Sequence, residues 1–326
     1  APQKSLRLYA RKTYGKKRFN YPFFGDSIPY ARLLLRSPSS AHFGRIITDV
    51  VAHELCRPLN LHIMDYRPVT AYVNGEYWGL HFLRERVDTR YIEGHTGIDK
   101  DSVILDGRHT EYWFAQLLDS VETWDATAPD FYDRIGTLVD VPNFIDYLIA
   151  ETYLRNKDWL YNNNNVTLWK PITGGKWRFI LIDIDAGLQR ADDNMFHFIR
   201  NFPGGNITRF YELLRQSPTF RNDFASRYAE VVNTHFSPAR SIHLIDSIAA
   251  TIEPFMPRQV DRWQHLGSMY TWRSGLDRMR AFCNDRPAHA NQHLSHELQL
   301  EETGMQTDAT VWYVSQRAWT IVVICS

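Results

Sequence analysis

Asn156-Lys157-Asp158-Trp159-Leu160-Tyr161-Asn162-Asn163-Asn164-Asn165 and, one hairpin later, Ile180-Leu181-Ile182-Asp183-Ile184-Asp185-Ala186-Gly187 are the stretches that decide how this chain is read. The first follows a helical pattern. Asp140 suits an N-cap, Pro142 falls in the first turn, and Phe144, Tyr147, Leu148 and Leu154 share one face, which predicts a helix from 140 to about 156. Between the two stretches, residues 166–170 and 177–182 flank Gly174-Gly175 and predict a hairpin. An acid after a helix, an amide five residues on at Asn163, and two carboxylates directly after a buried strand can hold a nucleophile and a divalent metal. Carboxylate and amide oxygens suit Mg²⁺, which keeps waters and a substrate phosphate as its remaining ligands.

Working outward, residues 5–10 alternate apolar and polar as a half-buried strand does, and 33–35 form a short buried strand. Ile46, Ile47, Val50, Val51 and Leu55 have helical spacing, with Pro58 beyond them as a stop. Residues 69–73 and 77–83 flank Asn74-Gly75, the pair that supplies two positive φ angles to a tight hairpin turn. From about 110 the rhythm turns helical, and 208 to about 298 is helical throughout. The polar stretch beyond Gly187, with Asp192, Asp193, Asn194 and Gly204-Gly205, reads as a long loop. The fold expected is α+β: a small strand-rich lobe, then a larger helical lobe with one hairpin at the junction, where ligands tend to sit.

Composition narrows the function. The chain has 326 residues, 44% hydrophobic and 14% aromatic, enough for a sizeable core and unlike a disordered or fibrous chain. With 37 basic and 37 acidic residues there is no case for a nucleic-acid binder. Nine of the basic residues but only one acid, Asp26, lie in 1–36, so a basic edge faces an acidic body. That suits an anionic ligand held between lobes, although a solvated basic face explains it as simply. No apolar run approaches the ~18 residues of a membrane span. Cys56, Cys283 and Cys325 are too few and too far apart for a disulfide framework or a zinc site. His289, His293 and His296 have helical spacing, but only Glu297 accompanies them, and cationic His near a helix C-terminus answers the dipole.

The segment 140–148 through Asn156-Lys157-Asp158-Trp159, then Val166-Thr167-Leu168-Trp169, Lys176-Trp177-Arg178-Phe179-Ile180 and Asp183-Ile184-Asp185-Ala186-Gly187, resembles the CotH kinase family, the spore coat protein H-like kinases. Upstream, Gln3-Lys4-Ser5-Leu6-Arg7-Leu8, Tyr14-Gly15-Lys16, the run from Tyr72 to Gly79 and Arg84-Glu85-Arg86-Val87-Asp88 resemble it as well, so the likeness spans roughly 1–300. It implies an atypical protein-kinase-like fold, with residues 1–92 as N-lobe, 93–300 as helical C-lobe, and 301–326 an unassigned extension. It implies an ATP- and Mg²⁺-dependent kinase that phosphorylates Ser/Thr of secreted, coat or surface proteins, placed outside the cell or at its surface. In protein kinases an Asp, an Asn five residues later and a metal-binding Asp-x-Gly do this work. By the resemblance Asp158 is the catalytic acid, Asn163 or Asn162 assists the metal, Asp183 and Asp185 share the metal-binding place, and Lys4 contacts the phosphates. Asp183 is favoured over Asp185 because it follows Ile182 at the strand end. Glu54, or else Asp49, is the helix acid that would pair with Lys4.

The chain departs from the family's pattern at three points. The nucleotide loop is expected just upstream of Lys4. The family's Arg-Asn-Ser-Gly-Asn-Asp is replaced by Arg36-Ser37-Pro38-Ser39-Ser40-Ala41, and four asparagines stand where two are usual. Plainer readings stand beside the functional ones: Asp158 as a helix-end acid, one of Asp183 and Asp185 paired with Arg178 or Lys170, and Lys4 as an edge lysine that frays. Two further functions compete: a kinase-like scaffold that no longer transfers phosphate, and a glycoside hydrolase built on paired carboxylates.

Overall fold

Alternation near the start of the chain builds a four-stranded antiparallel sheet from β1 (Leu6–Tyr9), β2 (Arg32–Arg36), β3 (Tyr66–Val73) and β4 (Glu76–Arg84), in the order β1-β2-β4-β3. Asn74 and Gly75 take φ of 52° and 83°, the positive values that close the β3–β4 hairpin tightly. Between β2 and β3 lies α1 (Thr48–Cys56), whose Val50, Val51 and Leu55 are buried. The computed structural model describes residues 2–38, 45–107, 112–160, 165–202 and 205–299. Beyond them it describes only three two-residue strands, Glu301–Glu302, Trp312–Tyr313 and Val322–Val323, the middle one paired antiparallel with each of the others.

The chain then passes through α2 (Thr89–Thr96), capped by Asp88, to β5 (Val103–Gly107), α3 (Tyr112–Val121), α4 (Phe131–Leu138) and α5 (Val141–Tyr153). The Asp140 carboxylate accepts the Asn143 N–H at 3.1 Å, as its N-cap position predicts. Strands β6 (Thr167–Pro171) and β7 (Arg178–Ile180) form the expected hairpin, but β5 joins them in a three-stranded sheet ordered β5-β6-β7. A five-residue strand whose partner lies some sixty positions away leaves little periodicity to read.

The stretch read as a long loop holds a helix, α6 (Met195–Arg200). The Asn194 side chain accepts the N–H groups of Phe196 and His197, and Met195, Phe196 and Ile199 are buried. A good cap and three apolar contacts outweigh the polar residues around it. The rest is α7 (Asn206–Leu214), α8 (Pro218–Asn233), α9 (Pro238–Ile252), α10 (Met256–Arg262) and α11 (Met269–Leu298). The architecture is α+β and two-lobed. Among the described residues no helix is long and apolar enough to cross a membrane.

One core runs through both lobes, from Ile47, Val51 and Leu55 on α1 through Phe144 and Leu148 on α5 to Ile245 on α9 and Phe282 on α11. A buried amide lock ties the first residues to the helical lobe. Gln3 donates to the Leu80 carbonyl at 2.8 Å, Gln259 accepts the Leu80 N–H at 2.7 Å, and Gln259 donates to Gln3 at 2.8 Å. Gly79 sits at this crossing with φ 113°, and a Cβ there would lie 2.5 Å from the Gln259 amide oxygen. The fraying expected at Lys4 is therefore absent from its backbone: Gln3 is locked before it, and the Lys4 carbonyl lies 3.2 Å from His81 Nε2.

Candidate active site

Helix α5 ends at Tyr153, and the chain turns back through Arg155, which takes a left-handed φ of 62°. Trp159 and Leu160, both fully buried, fix the turn, and Trp159 Nε1 donates to the Tyr147 hydroxyl at 2.9 Å. Asp158, between Lys157 and this apolar anchor, stays exposed. Its carboxylate accepts from Asn165 Nδ2 at 3.2 Å, and the same amide lies 3.4 Å from the Asp158 carbonyl. Partial burial, then the charges of Asp185 and Asp183, raise the Asp158 pKa, and the Asn165 hydrogen bond opposes them. The three acids thus share one electrostatic environment. Asn162 and Asn163 lie outside the described residues; Asn165, at the end of the four-Asn run, is the amide that meets Asp158.

Asp183 follows β7 with φ 53°, a conformation that costs a non-glycine residue roughly 1 kcal/mol. The peptide after it is clamped from both sides. Asn156 Nδ2 donates to the Asp183 carbonyl at 3.3 Å, and Asp49 Oδ1 accepts the Ile184 N–H at 2.9 Å. Asn156 is itself held by Glu151 at 2.9 Å, whose buried carboxyl is pushed well above the usual range by desolvation. Gly187 closes the segment where a Cβ would meet the Leu154 carbonyl at 2.9 Å. Strain held by surrounding hydrogen bonds is characteristic of functional turns.

The two carboxylates converge on one atom. Arg36 Nη2, from the end of β2, donates to both Asp183 and Asp185, the latter at 2.9 Å. Burial disfavours the Arg36 charge, but Asp183 and Asp185 more than offset it, so its pKa rises. Below this pair, Asp49 forms a buried ion pair with Arg84 on β4. His53 lies 3.6 Å from Asp49, yet burial, then the Arg36 charge, push its pKa down to about 3, so among the described residues Arg84 is the cation that answers Asp49.

The remaining candidates are placed differently. Glu54 faces away, bound by Arg57 at 2.9 Å, and Arg57 also pairs with Asp65 at 2.8 Å. Of the two acids considered on α1, Asp49 reaches the site. The Lys4 ammonium forms no ion pair among the described residues, although Ser5 beside it accepts the Ser37 N–H at 3.0 Å, one residue past Arg36. Glu85 is buried at the end of the small sheet and accepts from Tyr30, the Asp65 N–H and His95 at 3.0, 2.9 and 2.7 Å. Arg178 pairs with Asp140, not with either site acid.

Arg36, Arg84, Asn156 and Asn165 were not singled out from sequence. Arg36 has a signal in hindsight, a cation closing a buried strand; Arg84 and Asn156 have none, because their partners lie 35 and 27 positions away.

Among the described residues no group of three or more His, Cys, Asp or Glu is arranged to hold a metal ion. Mg²⁺ in phosphoryl-transfer sites is commonly held by one or two carboxylates plus substrate phosphates. Two carboxylate oxygens meeting at one cationic nitrogen fit that arrangement.

A family model described as CotH kinase protein matches residues 1–114 and 106–290 of the chain. Among solved structures, a Helicobacter pylori proinflammatory kinase, CtkA, is 11% identical with a TM-score of 0.37, over 81% of this chain and 91% of that one. The search of curated proteins found no match.

Proposed function

Because the chain belongs to the CotH kinase family, we propose that it transfers the γ-phosphate of ATP, with Mg²⁺, to Ser or Thr hydroxyls of secreted, coat or surface proteins. The observation that supports this best is the meeting of Asp183 and Asp185 at a single cation, with Asp158 beside them. Asp158 orients the acceptor hydroxyl and takes its proton. A carboxylate whose pKa is raised is a better proton acceptor than an ordinary surface acid. Asp183 and Asp185 would hold the metal, with an amide of the four-Asn run assisting; Asn165 is the described member of that run that reaches Asp158. When bound, Mg²⁺ supplies neutralisation of charge on the phosphate oxygens. Asp49 and Asn156 keep the 183–184 peptide in its turn, so both carboxylates are aimed before ligand arrives. Lys4, on the basic edge, neutralises phosphate.

The test is thermal unfolding with and without Mg²⁺ and a non-hydrolysable ATP analogue. At about 100 times Kd the ligand adds about 2.7 kcal/mol of stability. The gain should require Mg²⁺ and disappear in Asp183→Asn/Asp185→Asn. Asp158→Asn should keep nucleotide binding but lose phosphate transfer. A well-folded chain with no Mg²⁺-dependent shift would instead favour a scaffold without transferase activity.

A further inference from the structure

Resting on that reading, we propose that Arg36 is the internal counter-cation of the metal site: it holds Asp183 and Asp185 until a nucleotide arrives and then passes to the phosphates, so that metal and nucleotide enter together.

Three observations lead there. First, one guanidinium nitrogen is shared by both carboxylates, so Arg36 stands where a cation common to the two would stand. A divalent ion and a guanidinium at that point repel each other unless an anion lies between them. Second, the space beside Arg36 and Asp185 is small. The cavity lined by Arg36, Arg45, Asp49, Phe82, Arg84 and Asp185 has a volume of about 20 Å³, room for about one water. A phosphate does not fit that cavity while the Arg36 side chain stands as it does.

Third, the backbone beyond Arg36 is anchored while its side chain is not. Ser37 N–H donates to Ser5 Oγ at 3.0 Å and the Ser37 hydroxyl to the Gln3 carbonyl at 3.0 Å, whereas the Arg36 side chain keeps 24% exposure. Among the described residues its ion-pair partners are partly exposed carboxylates, whereas the neighbouring Arg84 is fully buried with Asp49. A long side chain on a fixed backbone can exchange partners by rotamer change, and guanidinium binds phosphate as readily as carboxylate. The result is a site that rejects free metal yet accepts metal with its anion.

The experiment measures binding of Mn²⁺ alone, and of Mg²⁺ with the non-hydrolysable ATP analogue, by calorimetry on the full chain. It compares wild type, Arg36→Gln and Arg36→Lys, each first checked for folding by ligand-free thermal unfolding. Arg36→Gln should bind Mn²⁺ alone about tenfold more tightly and the Mg²⁺–nucleotide pair about tenfold more weakly, each about 1.4 kcal/mol. Arg36→Lys, which keeps the charge without the fork, should fall between. A variant that matches wild type in both titrations, or weakens in both, overturns the role of Arg36 while leaving the kinase reading intact. Failure of folded wild type to bind the Mg²⁺–nucleotide pair at all overturns the kinase reading and this inference with it.

Discussion

Arg286 on α11 is 1% exposed and donates to four backbone carbonyls, those of Thr152, Tyr153, Ala191 and Asp193, at 2.6 to 2.9 Å. Arg36 on β2 is a quarter exposed and is shared between two carboxylates. Both touch the segments that build the candidate site. Arg286 meets carbonyls at the end of α5 and in the loop at 191–193, where each of its three nitrogens finds a fixed neutral acceptor. Arg36 meets charged groups that have another use. A cation satisfied by backbone cannot leave without exposing buried carbonyls, while one held by two partly exposed acids can be replaced by a second cation. The same side chain is therefore a strut in one place and a movable counter-ion in the other.

The sharpest way to break this comparison is Arg286→Ala. Removing four buried charge-assisted hydrogen bonds should cost about 4 kcal/mol, measured by urea unfolding. Arg36→Gln, in the same experiment without ligand, should cost far less. Equal losses would mean that Arg36 is structural too.

Two acids one and a half turns apart on α1 extend the test. Asp49→Asn leaves Arg84 buried without its countercharge, at a cost of about 3 kcal/mol. Glu54→Gln removes only a solvated pair with Arg57 and should change stability by less than about 0.5 kcal/mol. A reversal of that order would move the helix acid of the site back to Glu54.

Next is Gly79→Ala, which places a Cβ against the Gln3–Gln259 lock at a positive φ. It should destabilise by about 2 kcal/mol. Denaturation that splits into two transitions would show that the lock couples the two lobes, and a single transition would show that they are coupled without it.

The smallest effect has the opposite sign. The pKa of Asp158 is raised, so the folded state holds its proton to a higher pH than the unfolded state, and stability falls as pH rises through that window. Asp158→Asn should therefore stabilise the chain at pH 7, by about a few tenths of a kcal/mol for so exposed a group. The gain should vanish at pH below the ordinary carboxylate range. Thermal unfolding across pH reads this directly, and a destabilised variant at pH 7 would contradict a carboxylate kept for function at a cost in stability.

Local rules accounted for much of the chain. Asn74-Gly75 specified the β3–β4 hairpin, Asp140 and Pro142 started α5, and the spacing of Ile47, Val51 and Leu55 placed α1. Each depends on residues a few positions apart, which is the range over which turns, caps and periodicity act. β5 and α6 escaped because one is defined by pairing with a distant strand and the other by a cap and packing inside a polar stretch.

The site divides the same way. Asp158, Asp183 and Asp185 were legible because carboxylates placed after a helix and after a buried strand are a chemical pattern in one dimension. The sequence favoured Glu54 over Asp49, which differ in which way α1 turns them, and it could not show that Arg36 closes the carboxylate pair from 147 positions away. Charge interactions act through space and ignore chain separation, so residue order marked which groups are candidates for the chemistry, and only tertiary packing decided which cations answer them.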